Sequence, residues 1–253
     1  MVEDGAEPPG PDVALFPRFK SSAKVSRWST RVALIGAVTA VAVAMTPPSA
    51  PAAPPNVVPV VRCPTRYPFT QHPTPPHTIT VLGRPASTRG LAAYTNAFTY
   101  LIGPVGMKCA GVQAVDGGSQ VIIWPHRYAK PSLHSRSPGL TISIDPACAS
   151  CKAYDACPLL PSVASSVGFP CTTAIPAGER VYVLRTTVVL FEDPPGVAGD
   201  GWPSGGPYPA NGLVGEITSI PRYPGIYRST CTLPASKHAV CTASLNDAIA
   251  RYG

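Results

Sequence analysis

KCAGVQAVDGGSQVIIW, residues 108–124, sets two β-prone runs on either side of Asp116-Gly117-Gly118. Asp-Gly tolerates the positive φ angles of a tight reversal, and flanking runs of this kind can pair across it. The stretch therefore predicts an antiparallel hairpin, with strands over Lys108–Val115 and Ser119–Trp124, and so a domain organised on a sheet. Working outward, TITVL (Thr78–Leu82), FTYLI (Phe98–Ile102) and LTISI (Leu140–Ile144) each read as one strand. RVYVLRTTVVLF (Arg180–Phe191) is long enough for two. Asn211–Ile220 and Ile226–Leu233 read as a further antiparallel pair.

Helical patterns are fewer. Ala149–Ala156 and Pro161–Val167 suit short helices, the second opening on a proline in its tolerated first-turn position. Near the C-terminus Ser236 can cap a helix on which Cys241, Leu245 and Ile249 recur at every fourth residue, with Gly253 ending it. Together these predict an α+β domain over residues 77–253: a mainly antiparallel sheet, a few short helices and a C-terminal helix.

The chain has 253 residues with 8 Cys, 33 Pro and 22 Gly. Val32–Met45 (VALIGAVTAVAVAM) carries no charge and follows Arg27 and Arg31, with small-residue sites at 42–44, near its end, and at 50–52 beyond it. It is shorter than the roughly 20 residues of a bilayer span and has the form of a signal h-region. Residues 1–52 thus read as a tail with a signal peptide or an uncleaved signal anchor, and that apolar segment is the expected membrane contact. Acids at Glu3, Asp4, Glu7 and Asp12 fit a signal poorly, and translation starting at Val25 would remove them. Arg62 before Cys63 argues against a lipid anchor there. Residues 53–76, dense in proline, read as an extended spacer.

Export decides what the cysteines mean, because an oxidising compartment favours disulfides over metal sites. Cys148, Cys151, Cys157 and Cys171 lack the spacing of paired zinc knuckles. Cys148-Ala-Ser-Cys151 resembles a redox pair only until the two neighbouring cysteines are considered. We expect two bridges within this cluster and one joining Cys231 to Cys241. Cys63 and Cys109 are then left for each other.

Glu192–Asn211 (EDPPGVAGDGWPSGGPYPAN) is the unusual loop, with five prolines among its glycines and acids at Glu192, Asp193 and Asp200. Such carboxylates can ligate a hard cation or divide acid and base roles in glycan cleavage. They can also simply cap turns, with Trp202 or Tyr208 anchoring the loop. His72 and His77 stand in proline-rich sequence, and His126, His134 and His238 are scattered. No nucleophile elbow, dinucleotide fingerprint or phosphate loop occurs. Beyond Ala52 there are 15 Lys and Arg against 9 Asp and Glu, which favours anionic envelope polymers. No two basic residues are adjacent anywhere, so nucleic acid is not expected as a partner.

CAGVQAVDGGSQVIIWP, CASCKAYDACPLLPS, FEDPPGVAGDGWPSGGPYPANG and CTLPASKHAVCTASLND, taken in this order, resemble an exported actinobacterial domain family of unknown function. The resemblance covers about residues 94 to 253 and implies an envelope or secreted location, with no activity and no catalytic residue to carry over. The expectation is a non-enzymatic exported domain that needs no cofactor and binds an envelope component. The alternative is a secreted envelope hydrolase using the acids of the 192–200 loop.

Overall fold

A computed structural model describes residues 56–67, 73–83, 85–115, 117–128, 138–145, 156–197, 199, 212–220 and 225–253. The apolar segment 32–45, residues 149–155 of the expected helix at Ala149–Ala156, and Cys148, Cys151, Asp200, Trp202, Tyr208, His72 and His134 lie outside these residues. No helix among the described residues is long and apolar enough to cross a membrane.

The strands run β1 (Val57–Arg62), β2 (Thr65–Arg66), β3 (Thr78–Thr80), β4 (Leu91–Thr95), β5 (Tyr100–Pro104), β6 (Lys108–Gln113) and β7 (Ser119–Trp124). After them come β8 (Leu140–Asp145), helix α1 (Pro161–Ser166), β9 (Arg180–Arg185), β10 (Val188–Asp193), β11 (Leu213–Ile220), β12 (Gly225–Cys231) and helix α2 (His238–Tyr252). One sheet has the order β3-β1-β4-β5 and the other β2-β6-β7-β8-β12-β11-β10-β9. Each is mixed, because β1 pairs parallel with β4 and β2 parallel with β6. The fold is therefore mostly sheet, in two mixed sheets, where an α+β domain on a mainly antiparallel sheet was expected. The few helices and the C-terminal helix are as expected.

The hairpin forms where Asp-Gly places it: β6 and β7 pair from Lys108↔Trp124 to Gln113↔Ser119. Gly117 supplies a φ of 92°, and the Ala114 amide donates to Gly118 O at 2.7 Å. The β9–β10 and β11–β12 pairs also lie where they were expected.

The proline-rich stretch behaves differently. Residues 57–66, read as spacer, supply β1 and β2, and Val58 is only 1% exposed. Proline is tolerated in β1 because of where it falls. Pro59 pairs with Thr78 on the β3 side, while the ladder to β4 begins only at Val60. The Val60 amide donates to His77 O at 2.8 Å, so the donor that Pro59 lacks belongs to the other side, ahead of that ladder.

Phe98 was expected in a strand, but β5 starts at Tyr100 and Phe98 sits exposed in the preceding turn. The buried Asn96 side chain governs this reversal. Its Oδ1 accepts the amides of Phe98 and Thr99 at 3.1 and 2.9 Å. Its Nδ2 donates to Val112 O at 2.9 Å and to Ser119 Oγ at 2.7 Å. Ala97 takes a φ of 80°, a conformation that costs a non-glycine residue and is held here by these bonds.

The main core lies between the sheets and α2, and it includes Tyr94, Leu101, Val121, Ile123, Ile142 and Ala248. On the far face of the larger sheet Phe191, Leu213, Ile217 and Ile226 pack against Leu159, Leu160 and Val163 at α1. Burying one such side chain contributes roughly 1.5–3 kcal/mol. Since β10 to β12 are covered on both faces, their sequences show little polar alternation.

Helix α2 begins at His238 after a 3₁₀ turn, Ala235–Lys237, and makes no side-chain capping bond at its start. Ser236, the expected cap, instead sits inside that turn, which the Lys237 amide closes on Pro234 O at 2.7 Å. Cys241 and Leu245 are buried, and Gly253 ends the helix as expected. The buried Asp247 carboxylate accepts the Leu82 amide at 2.7 Å and the Arg251 guanidinium at 3.1 Å, tying the chain beyond β3 to the helix. Gly83 lets the two approach, because a Cβ there would lie 2.5 Å from the Asp247 nitrogen.

Candidate functional site

Glu192 and Asp193 end β10, and strand alternation sends them to opposite faces of the sheet. Glu192 faces Arg180 across the β9 ladder, with Arg180 Nη1 to Glu192 Oε2 at 3.4 Å. The two side chains are 61% and 34% exposed, so this pair is screened and contributes little stability. Asp193 is fully buried. The chain leaving β10 turns at Pro194, whose carbonyl accepts the Val197 amide at 3.0 Å, and comes back over the Asp193 carboxylate at Gly199. A Cβ on Gly199 would collide with that carboxylate. Gly212, at a φ of 70°, packs against the Asp193 carbonyl as the chain enters β11.

A small cleft of about 30 Å³ opens here, lined by Glu192, Asp193, Pro195, Gly212, His238 and the Cys231–Cys241 bridge. A volume of that size holds one or two water molecules, well short of a sugar ring. Both acids line it, with Glu192 engaged by Arg180 and the Asp193 carboxylate lying against Gly199. His238 is exposed at the start of α2, and His77 and His126 are exposed elsewhere. No group of three or more metal-ligating side chains occurs among the described residues.

Three bridges are present among the described residues: Cys63–Cys109, Cys157–Cys171 and Cys231–Cys241. The first joins the end of β1 to β6, and so one sheet to the other. The second closes the segment that holds α1, and the third ties β12 to α2. Cys63–Cys109 and Cys231–Cys241 are the pairs expected, Cys157–Cys171 lies within the cluster where two bridges were expected, and all three are consistent with an oxidising environment.

No family model matches this chain, and no curated protein or solved structure does.

One ionisable group escaped the sequence reading. Glu216, in the middle of β11, is fully buried, with Oε2 accepting from Thr218 Oγ1 at 2.8 Å and Oε1 from Ser229 Oγ at 2.9 Å. Burial pushes its carboxyl up to about 7, against the opposing pull of those two hydroxyls and of the Arg228 charge. Alternation in LVGEITSI puts Glu216 on the same face as Val214 and Thr218, and that face is the one turned toward α2. The signal was an acid inside a run of otherwise apolar and hydroxyl residues.

Proposed function

We propose that this chain is a non-enzymatic exported domain of the cell envelope or secreted space, which binds an envelope component through loops carried on a rigid sheet scaffold. The three bridges carry the reading. Chain-entropy arguments give such closures roughly 2.5–4 kcal/mol each, stabilisation that a reducing cytosol withholds. The charged, then apolar, then small-residue order of the first 52 residues supports the same compartment. Binding rather than hydrolysis is supported by the 192–199 geometry, where Glu192 is engaged by Arg180 and Asp193 lies on the other face beneath Gly199.

Fusing a reporter that folds only with disulfides after residue 55 tests the location. Activity outside the membrane is expected, and a reporter that stays reduced in the cytosol would refute the proposal. Cross-linking in the intact envelope, followed by purification under denaturing conditions, then identifies the bound component.

A further inference from the structure

Helix α2 crosses one stretch of β11 and β12, and its two ends are both fixed there. In its first turn the Cys231–Cys241 bridge holds it at the strand pair Val214↔Cys231. In its last turn Tyr252 stacks on Tyr227 with ring centroids 4.1 Å apart, and a Cβ on Gly253 would lie 3.4 Å from Thr218 Cγ2. Those contacts set it at the pair Thr218↔Tyr227. Residues 214–218 of a strand and 241–252 of a helix both span roughly 13–16 Å, so α2 runs along the row between the two pairs. On that face the pair in the middle is Glu216↔Ser229. Cys241, Ser244, Ala248 and Tyr252 recur at intervals of three and four and form the stripe of α2 on this side.

A carboxylate is poorly served beneath that stripe. It has about four lone-pair sites, and Glu216 receives one bond from Thr218 and one from Ser229. Among the described residues no salt bridge reaches it. Leu190 of β10 faces it, and Ile142 of β8 faces Ser229. Glu192, two residues along β10 from Leu190, is engaged by Arg180. From α2 the ionisable groups are Tyr252 and, on another side of the helix, Asp247 and Arg251, which bond each other. Arg228 of β12 points to the opposite face of the sheet by alternation. Ser244 Oγ is buried and has no hydrogen-bond partner among the described residues.

We propose that Glu216 is a proton-dependent latch for α2. With the carboxyl protonated the helix lies closed on β11 and β12. On ionisation the helix beyond Cys241 lifts and admits water to the carboxylate, while the Cys231–Cys241 bridge keeps its start attached. The closed form has its carboxyl raised to about 7 from an ordinary 4.5, so it holds a proton that the lifted form releases. Opening is therefore favoured as pH rises through this window, and its equilibrium constant should grow about 70-fold between pH 5 and pH 8. The latch stands apart from the identity of the envelope ligand.

Hydrogen exchange of the purified, disulfide-bonded chain at both pH values, corrected for intrinsic amide rates, tests this. Amides of residues 245–249 should open more readily than the best-protected amides of β6 and β7, and that opening should rise about 70-fold with pH. In Glu216→Gln the same opening should be nearly independent of pH. Helix amides that share the opening constant of β6 and β7 at pH 8 would mean that α2 leaves only when the whole domain unfolds, and would overturn the proposal. So would a helix opening in the parent that does not change with pH, and the parent alone decides both outcomes. A rise that persists in Glu216→Gln would assign the effect to another group and overturn it equally.

Discussion

Replacing Cys63 and Cys109 together by alanine should lower the stability of the domain by about 4 kcal/mol, the largest loss from opening any one of the three described bridges. The ranking follows from loop length, since this bridge closes a separation of 46 residues against 14 for Cys157–Cys171 and 10 for Cys231–Cys241. Loop-closure entropy scales with the logarithm of that length, so the two shorter loops should each lose about 3 kcal/mol or slightly less. Position reinforces the order. Cys63 is buried in the main core and its amide donates to Thr95 O at 2.8 Å, so the bridge fixes β1 against both β4 and β6. For a domain of this size the loss corresponds to a fall in Tm of roughly 10–15 °C. Melting curves of the three double variants, each in non-reducing buffer, check the order. A larger loss at Cys231–Cys241 would show that local packing, rather than chain entropy, sets the contribution of these bridges.

The second large effect concerns Glu216. Its folded-state pKa of about 7 lies above the ordinary 4.5. Between those values the folded chain therefore holds a proton that the unfolded chain has released, and stability falls as pH rises through this window. Above it the buried carboxylate costs up to about 3 kcal/mol relative to acid conditions. Glu216→Gln keeps the shape, stays neutral, and can still accept from one hydroxyl and donate to the other. The variant should match the parent near pH 4 and be more stable by up to about 3 kcal/mol near pH 8. Urea unfolding of both proteins across this range isolates the effect as the difference between two curves. Parallel curves would mean that Glu216 is as well solvated when folded as when unfolded.

Why some elements were legible and others were not has physical causes. The β6–β7 hairpin carries its turn chemistry in the chain, and the β9–β10 and β11–β12 strands are dense in β-branched residues. The pairings of Cys63 with Cys109 and Cys231 with Cys241 followed from spacing and elimination. β4 was missed because LAAYT has little β-branching and no alternation: all five residues are buried, so its pattern shows no exposed face. β1 was hidden by its prolines, whose cost depends on which side of the strand needs a donor, and that is a property of the partners. The turn at Phe98 depends on Asn96 reaching Val112 and Ser119, contacts distant in sequence. At the candidate site, the sequence placed Glu192 and Asp193 together, but being adjacent in a strand is what turns them apart. Glu216 stood out in its run as the one acid among apolar and hydroxyl residues, but its full burial follows from the packing around β11.

The proposed location of this disulfide-stabilised domain, outside the reducing cytosol, is tested by counting thiols in protein recovered from outside the membrane. Protein collected from the extracellular and envelope fractions, denatured in alkylating reagent without reductant and digested for mass spectrometry, should show no modification at any of the eight cysteines. After reduction all eight should be modified. Peptides linking Cys63 to Cys109, Cys157 to Cys171 and Cys231 to Cys241 should appear in the unreduced digest. Alkylation of any of these six cysteines before reduction, or recovery of the chain only as a reduced cytosolic protein, would contradict the account.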